Sequence, residues 1–129
     1  MTTFVPIEEP QPSQLYIDAS RLQKALDWFE FDNPTYDPIP VLSIEDEVVL
    51  SDGHTRAFLA YLSGAKTIEI VQDPDRKELN IPLYRECVSW CHDESITEIS
   101  HLAGRVVSRE TFLDRWVARC HQSPLHEEG

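Results

Sequence analysis

The sequence predicts a mixed α/β (α+β) fold, in which a small mixed sheet carries packed helices and the C-terminal third is helical. Two patterns predict it: short β-branched runs alternate with amphipathic segments up to about residue 72, and helical spacing takes over after Asp73-Pro74-Asp75. The chain has 129 residues, 41% hydrophobic and 26% charged, which suits one globular core. We therefore expect a single domain over residues 15–121, with a helical extension over residues 75–121.

Both ends of the chain are predicted to lie outside this domain. Residues 1–14 carry Pro6, Pro10 and Pro12 among glutamates and glutamines, a composition typical of a flexible, weakly ordered arm. Residues 122–129 form a polar tail. The N-terminus lacks the features of a signal peptide, and no apolar run approaches the ~18 residues of a membrane span. The expected location is therefore cytoplasmic, without a membrane partner.

A short strand and an amphipathic helix are predicted to open the domain. Leu15-Tyr16-Ile17 has the composition of a strand, and Asp18 or Ser20 can cap the helix that follows. Asn33-Pro34 and Asp37-Pro38 then break the helix and form a rigid loop. Apolar residues recur at helical spacing between the cap and the break, at Leu22, Ala25, Leu26 and Phe29.

A hairpin, a helix and a further strand come next. Residues 39–44 and 47–51 are β-branched and aliphatic runs around Glu45-Asp46, which predicts a tight turn. Residues 57–62 form an apolar helical segment that ends before Gly64, a suitable C-cap residue. Residues 67–71 read as the next strand, which completes a small mixed sheet.

The C-terminal third is predicted to be all helix. Leu83, Cys87, Val88 and Cys91 share one helix face, and a short helix precedes Gly104. Ser108 caps a last helix, whose face with Phe112, Trp116 and Cys120 suits either the core or a homodimer surface.

The cysteines and tryptophans are assigned first to the core. Three cysteines, an odd number, fit free buried thiols better than disulfides, although Cys87, Cys91 and Cys120 with His92 and His121 form an alternative metal set. Trp28, Trp90 and Trp116 lie on predicted helices beside apolar residues. The alternative for one of these tryptophans is a stacking platform for a nucleobase.

The excess of acidic over basic residues indicates which partners the chain can bind. The net charge is −12 with a pI near 4.6. Nucleic-acid affinity depends on cations that face phosphates, so this charge argues against a DNA or RNA partner.

The candidate functional residues form one loop between two apolar runs, Asp52-Gly53-His54-Thr55-Arg56. A turn from strand into helix exposes unpaired N–H groups that suit an anion. Gly53 permits a tight turn, Thr55 and Arg56 offer hydrogen-bond donors, and His54 offers a donor or a base near neutral pH. Asp52 can bind a metal ion, accept from a ligand hydroxyl or cap the helix. The plainer alternative is a capped helix start with surface polar residues.

The sequence around this loop resembles the core of the ParB/sulfiredoxin-like superfamily. The resemblance rests on Pro38-Ile39-Pro40-Val41, the hairpin, the segment Val49-Leu50-Ser51-Asp52-Gly53-His54-Thr55-Arg56-Ala57, and Leu62-Ser63-Gly64-Ala65, and it covers roughly residues 15–72. It implies a compact α/β domain whose loop after the hairpin binds nucleotide phosphates. Asp52, Gly53, His54, Thr55 and Arg56 take that position.

The departures from each branch of the superfamily narrow the expected chemistry. Sulfiredoxins carry a reactive cysteine beside the loop histidine, whereas Gly53 and Thr55 stand there in this chain, so sulfinic-acid reduction is not expected. ParB partition proteins have an arginine-rich loop and a basic DNA-binding domain, for which this chain is too short and too acidic. The free serine kinases match the loop best, but their catalytic glutamate corresponds to a segment, Asp18-Ala19-Ser20-Arg21-Leu22, that has no glutamate.

Three functions follow as expectations. The first is binding of a small anionic or nucleotide ligand such as ATP or ADP with Mg²⁺, as a phosphoryl transferase or nucleotide hydrolase in which His54 and Asp52 are catalytic and Asp52 holds the metal. The second is a non-catalytic ligand-sensing or protein-interaction module, and the third is a ParB-like nuclease. Four other carboxylates are near enough in sequence to act as a base, or are surface groups: Glu8, Glu9, Asp18 and Glu30.

Overall fold

The computed structural model describes residues 2–32 and 34–125. Asn33 of the predicted helix break and residues 126–129 of the predicted tail lie outside the described residues. The mixed α/β class is confirmed. Its elements are, in chain order, β1 (Thr2–Pro6), β2 (Ile17–Asp18), α1 (Ala19–Leu26), β3 (Ile39–Ile44), β4 (Glu47–Leu50), α2 (His54–Leu62), β5 (Thr67–Gln72), α3 (Ile81–Asp93), a 3₁₀ helix (Ile99–Leu102), β6 (Val106–Val107), α4 (Arg109–Phe112), a π-helical segment (Leu113–Val117) and α5 (Ala118–Gln122).

The main sheet is mixed, as the sequence predicts. Its strand order is β1-β5-β3-β4, with β3 parallel to β5 and both outer pairs antiparallel. The β3–β4 hairpin turns at Glu45 and Asp46, whose φ angles of 51° and 67° are both left-handed. Two left-handed residues match the twist of a two-residue hairpin, so the predicted turn is confirmed.

The N-terminal segment is the first correction, because it forms part of the sheet instead of a separate arm. β1 pairs with β5 along the register from Thr2 opposite Val71 to Pro6 opposite Thr67. Further on, Gln11 is almost fully buried, and its amide Nε2 donates to the carbonyl oxygen of Ile96 at 2.7 Å. A polar composition is compatible with burial here because the polar groups find partners far along the chain.

The second correction concerns the C-terminal third, which is not all helix. β6 pairs in parallel with β2, so that Ile17 lies opposite Val106 and Asp18 opposite Val107. The predicted strand 15–17 is thus shifted to Ile17–Asp18. The last predicted helix does form, and the Ser108 hydroxyl oxygen accepts from the Thr111 N–H at its start, 3.1 Å away.

The core contains most of the predicted apolar residues, with one exception among the tryptophans. Trp116 is buried and meets Trp90 edge-on, with ring centroids 5.8 Å apart. Trp28 is 50% exposed, which corrects its assignment to the core. Phe112 and Cys120 are partly buried against the main core cluster, so this helix face packs within the chain. None of the helices in the described part of the chain has the length and apolar character needed to cross a membrane.

Candidate functional site

The start of α2 forms the centre of the candidate site. The helix begins at His54 directly after Gly53, which has a φ of +72° and supplies no side-chain cap. The first N–H groups of a helix have no intrahelical acceptor, and the helix dipole makes this end electropositive. The helix ends before Gly64, which has a φ of +87°, as the sequence predicts. The turn therefore offers uncapped donors to an anion.

Gly53 also makes room for the side chain of Arg56. A Cβ atom at position 53 would lie 2.9 Å from Nη2 of Arg56 and 3.2 Å from Cγ2 of Ile39. The Arg56 guanidinium therefore folds back over the turn, where its Nη1 donates to the carbonyl oxygen of Asp37 at 3.2 Å. The missing side chain at position 53 sets the place of this cation.

Substitution of Gly53 by alanine should be costly for two separable reasons. We expect Gly53→Ala to lower the free energy of unfolding by about 2 kcal/mol, because alanine disfavours a left-handed backbone and its Cβ would crowd Ile39 as well as Arg56. Gly64→Ala should cost about 1 kcal/mol, since its φ is left-handed but its Cβ would meet nothing within 4 Å. Gly104→Ala, with open space and no left-handed φ, should change stability by less than about 0.5 kcal/mol. Urea unfolding of the three variants tests this order, and equal losses at positions 53 and 64 would contradict the contact with Arg56.

A cleft of about 320 Å³ opens between α2 and α1, and we call it the α2 cleft. It carries three cations, Arg21, Lys24 and Arg56, in a chain whose net charge is −12. Within residues 2–32 and 34–125, none of the three forms an ion pair. The complete lining is Gln14, Asp18, Arg21, Lys24, Ala25, Trp28, Asp52, Gly53, His54, Thr55, Arg56 and Phe112.

The α1 wall of this cleft was missed by the sequence reasoning, although a signal was present. Arg21, Lys24 and Ala25 lie on one side of α1, and Trp28, three residues after Ala25, continues that side in the turn after the helix. The prediction of this helix rests on the spacing of its apolar residues alone. A second face that combines two cations with an aromatic ring was the available signal.

Asp18 lies in the cleft but both of its carboxylate oxygens are engaged. Oδ1 accepts from the Ser20 N–H at 2.9 Å, which caps α1, and Oδ2 accepts from Nη1 of Arg109 at 2.7 Å. The side chain is 1% exposed. Of the four carboxylates proposed as alternative bases, Glu8, Glu9 and Glu30 are exposed and do not line the cleft. None of the four therefore offers a free carboxylate to it.

Asp52 and Thr55 are the polar side chains of the loop that remain available. Asp52 is exposed and Thr55 is half-buried, and both line the cleft. Neither side chain forms a hydrogen bond or ion pair with another described residue. Asp52 alone supplies one oxygen ligand, and magnesium sites on phosphate ligands use one or two carboxylates plus the phosphates. The residues present thus fit Mg²⁺ only together with a phosphate compound.

His54 is placed differently from the sequence expectation. The imidazole is buried, and its Nε2 accepts from the Ser13 N–H at 2.9 Å, so the neutral ring carries its proton on Nδ1. Burial lowers the pKa of His54 to about 4, opposed by the nearby charge of Asp52. A base that titrates near neutral pH does not fit this geometry. The imidazole links the N-terminal segment to α2 and also lines the α2 cleft, so its role as a hydrogen-bond donor to a ligand stays a prediction.

The cysteines are free thiols, with Cys87 and Cys91 buried and Cys120 half-buried. In the part of the chain that the structure describes, no group of three or more histidine, cysteine, aspartate or glutamate side chains is arranged to hold a metal ion. The alternative metal set that includes His92 and His121 is therefore not assembled there. Cys91 Sγ instead donates to the carbonyl oxygen of Gln14 at 3.6 Å.

Comparisons with known proteins add a partial likeness to a solved structure. No protein-family model and no curated protein matches this chain. Among solved structures, it is similar in part to protein Atu1540 from Agrobacterium tumefaciens, with 16% sequence identity and a TM-score of 0.45. The match covers 56% of this chain and 38% of that protein.

Proposed function

We propose that this chain binds a nucleotide or a comparable phosphate compound in the α2 cleft. The observation that carries the proposal is the meeting of an uncapped helix start with three cations that lack ion-pair partners among the described residues. Each feature favours an anion, and three cations are gathered at this cleft although the net charge of the chain is −12. The resemblance to ParB/sulfiredoxin-like proteins supports the proposal, because it assigns nucleotide phosphates to the same turn.

The parts of the cleft suit different parts of such a ligand. The N–H groups at the start of α2 and the Arg56 guanidinium would hold the phosphates, with Arg21 and Lys24 on the facing wall. Trp28 is half exposed at this wall, and its ring centroid lies 5.9 Å from that of the buried Phe29. An exposed indole offers a stacking surface for a nucleobase. The ligand class is therefore an aromatic base joined to phosphates.

Binding without turnover is the form of the proposal that the geometry favours. A general base must hold a free lone pair near the reacting group, whereas the Nε2 atom of His54 is already an acceptor and Asp18 is saturated. Phosphoryl transfer stays the second candidate, because Asp52 is free at the mouth of the cleft. It predicts nucleotide turnover that Asp52→Asn abolishes, measured as released phosphate in the presence of Mg²⁺.

Calorimetric titration with a matched set of ligands tests the proposal. We expect a nucleoside triphosphate or diphosphate to bind, inorganic phosphate to bind more weakly, and the unphosphorylated nucleoside to bind least. Thermal melting should rise with the same ligands, since a ligand that binds only the folded state stabilises it. If no nucleotide, phosphate or pyrophosphate changes either signal, the proposal is wrong.

Substitution of Trp28 should distinguish the contribution of the base to binding from that of the phosphates. Loss of one stacked base contact is worth about 1–3 kcal/mol, so Trp28→Ala should weaken nucleotide binding by about 5-fold to 150-fold. Its affinity for inorganic phosphate should stay unchanged, and Trp28→Phe should retain most nucleotide affinity. If Trp28→Ala lowers the affinity for the nucleotide and for inorganic phosphate equally, the indole stabilises the cleft wall and does not stack on a base.

A further inference from the structure

A second cavity beside the α2 cleft brings two thiols together. It has a volume of about 200 Å³ and is lined by Cys87 of α3 and Cys120 of α5, together with Tyr84 and Trp116. Asp52 and His54 line both cavities. Cys87 and Cys120 are 33 positions apart in the sequence, so only the packing of the C-terminal helix on α3 places them at one cavity.

The two thiols differ in accessibility and in acidity. Cys87 is 5% exposed, whereas Cys120 is half-buried at the cavity wall. The adjacent Cys87 thiol, and to a lesser degree Arg119, lowers the pKa of Cys120. Cys120 and burial together raise the pKa of Cys87. Because the thiolate is the reactive form, Cys120 is the more nucleophilic of the pair.

Cys91 provides an internal reference on the same helix as Cys87. It is fully buried, does not line the cavity, and is held by the carbonyl oxygen of Gln14. Burial raises the pKa of Cys91 to about 12. Because Cys91 is buried away from the cavity that Cys87 and Cys120 share, it serves as the control for their reactivity.

We propose that Cys120 and Cys87 form an oxidation-sensitive pair, in which Cys120 reacts first with a hydroperoxide and Cys87 then closes a disulfide. In the first step, the Cys120 thiolate attacks a peroxide oxygen and the O–O bond breaks, which gives Cys120 sulfenic acid and releases hydroxide from hydrogen peroxide or an alkoxide from an organic hydroperoxide. In the second, the sulfur of Cys87 attacks the sulfenic sulfur, the S–O bond breaks, and water leaves with the Cys87 proton. Two thiols lose two electrons in total, and the peroxide gains them.

Peptide mass spectrometry of the full chain after hydrogen peroxide treatment tests the pair. We expect a Cys87–Cys120 disulfide with Cys91 still free, and Cys120 should react about 10-fold or more faster than Cys91. Cys87→Ala should stop at a Cys120 sulfenic acid that dimedone traps. Cys120→Ala should give neither product, and Cys91→Ala should oxidise like the unmodified chain.

Two results would overturn the proposal. One is a disulfide that includes Cys91, and the other is a Cys87–Cys120 bond that forms only after guanidinium unfolds the protein. Melting curves of each variant establish that it is folded, and Cys120→Ser replaces Cys120→Ala if the alanine variant is not. Because the readout is thiol chemistry, it is independent of whether the α2 cleft binds a nucleotide.

Discussion

Lowering the pH through the range 6.5 to 4 should destabilise this fold by about 3 kcal/mol through His54 alone. The unfolded histidine has a pKa of 6.5, whereas burial lowers the pKa of the folded one to about 4. Between these values the unfolded chain binds a proton that the native chain excludes, so acid favours unfolding. The stability contributed by the neutral ring is present above about pH 6.5, is lost as the pH falls, and changes no further below about pH 4. Each pH unit of difference is worth about 1.4 kcal/mol, which gives the total.

Urea unfolding at several pH values measures this effect, and substitutions isolate His54 from the many carboxylates. Glutamine at position 54 does not titrate, and its amide oxygen can still accept from the Ser13 N–H. Between pH 6.5 and 4, His54→Gln should therefore lose about 3 kcal/mol less free energy of unfolding than the unmodified chain. His101→Gln is the matched control, because the Nδ1 of His101 accepts from the Thr97 N–H at 3.0 Å on the exposed surface. The idea fails if the two glutamine variants show the same pH dependence.

Those parts of the fold that local sequence encodes were predictable. The Glu45-Asp46 turn lies between β-branched runs, and Gly53 and Gly64 frame α2 because each adopts a left-handed φ. Asp18 caps α1 through its own side chain. Each of these signals acts over a few residues, so one sequence suffices to read it.

The parts that depend on distant partners were not predictable. β2 forms only because β6 lies beside it, 89 positions further along the chain from Ile17 to Val106. Gln11 is buried because the carbonyl oxygen of Ile96 satisfies its amide. His54 lines the cleft as expected of the loop, but its Nε2 atom accepts from the N–H of Ser13, 41 positions earlier. Composition and spacing describe none of these pairings.

The same distinction applies to the candidate site. The loop from Asp52 to Arg56 was found from its sequence, since a glycine and donors after a strand indicate an anion site. The facing wall depends on how α1 packs against α2, which placed Arg21 and Lys24 opposite the loop. For a site built from two elements, one sequence therefore indicates the element with the distinctive loop and not the element that packs against it.

Removal of the three cleft cations should abolish tight binding of phosphate compounds. A hydrogen bond to a charged group contributes about 1.5–3 kcal/mol, so loss of three contacts, even partly exposed ones, should weaken binding by about 1,000-fold. The triple variant Arg21→Ala, Lys24→Ala, Arg56→Ala should therefore show almost no heat with a nucleotide that binds the unmodified chain. Since salt screens exposed charges, the unmodified chain should also lose affinity as ionic strength rises, and the variant should not.

A second triple variant distinguishes direct contact with the ligand from the effect of the overall charge of the chain. Lys66→Ala, Lys77→Ala, Arg115→Ala removes three cations that do not line the α2 cleft, and it changes the net charge equally, from −12 by three charges to −15. This control leaves the three cleft cations in place, and salt screens the exposed charges that it removes, so it should weaken binding by no more than a few fold. Equal losses in the two variants would mean that the ligand responds to the overall charge of the chain. A loss confined to the first variant would mean that Arg21, Lys24 and Arg56 act through direct contact, and that the local cation excess overrides the net negative charge.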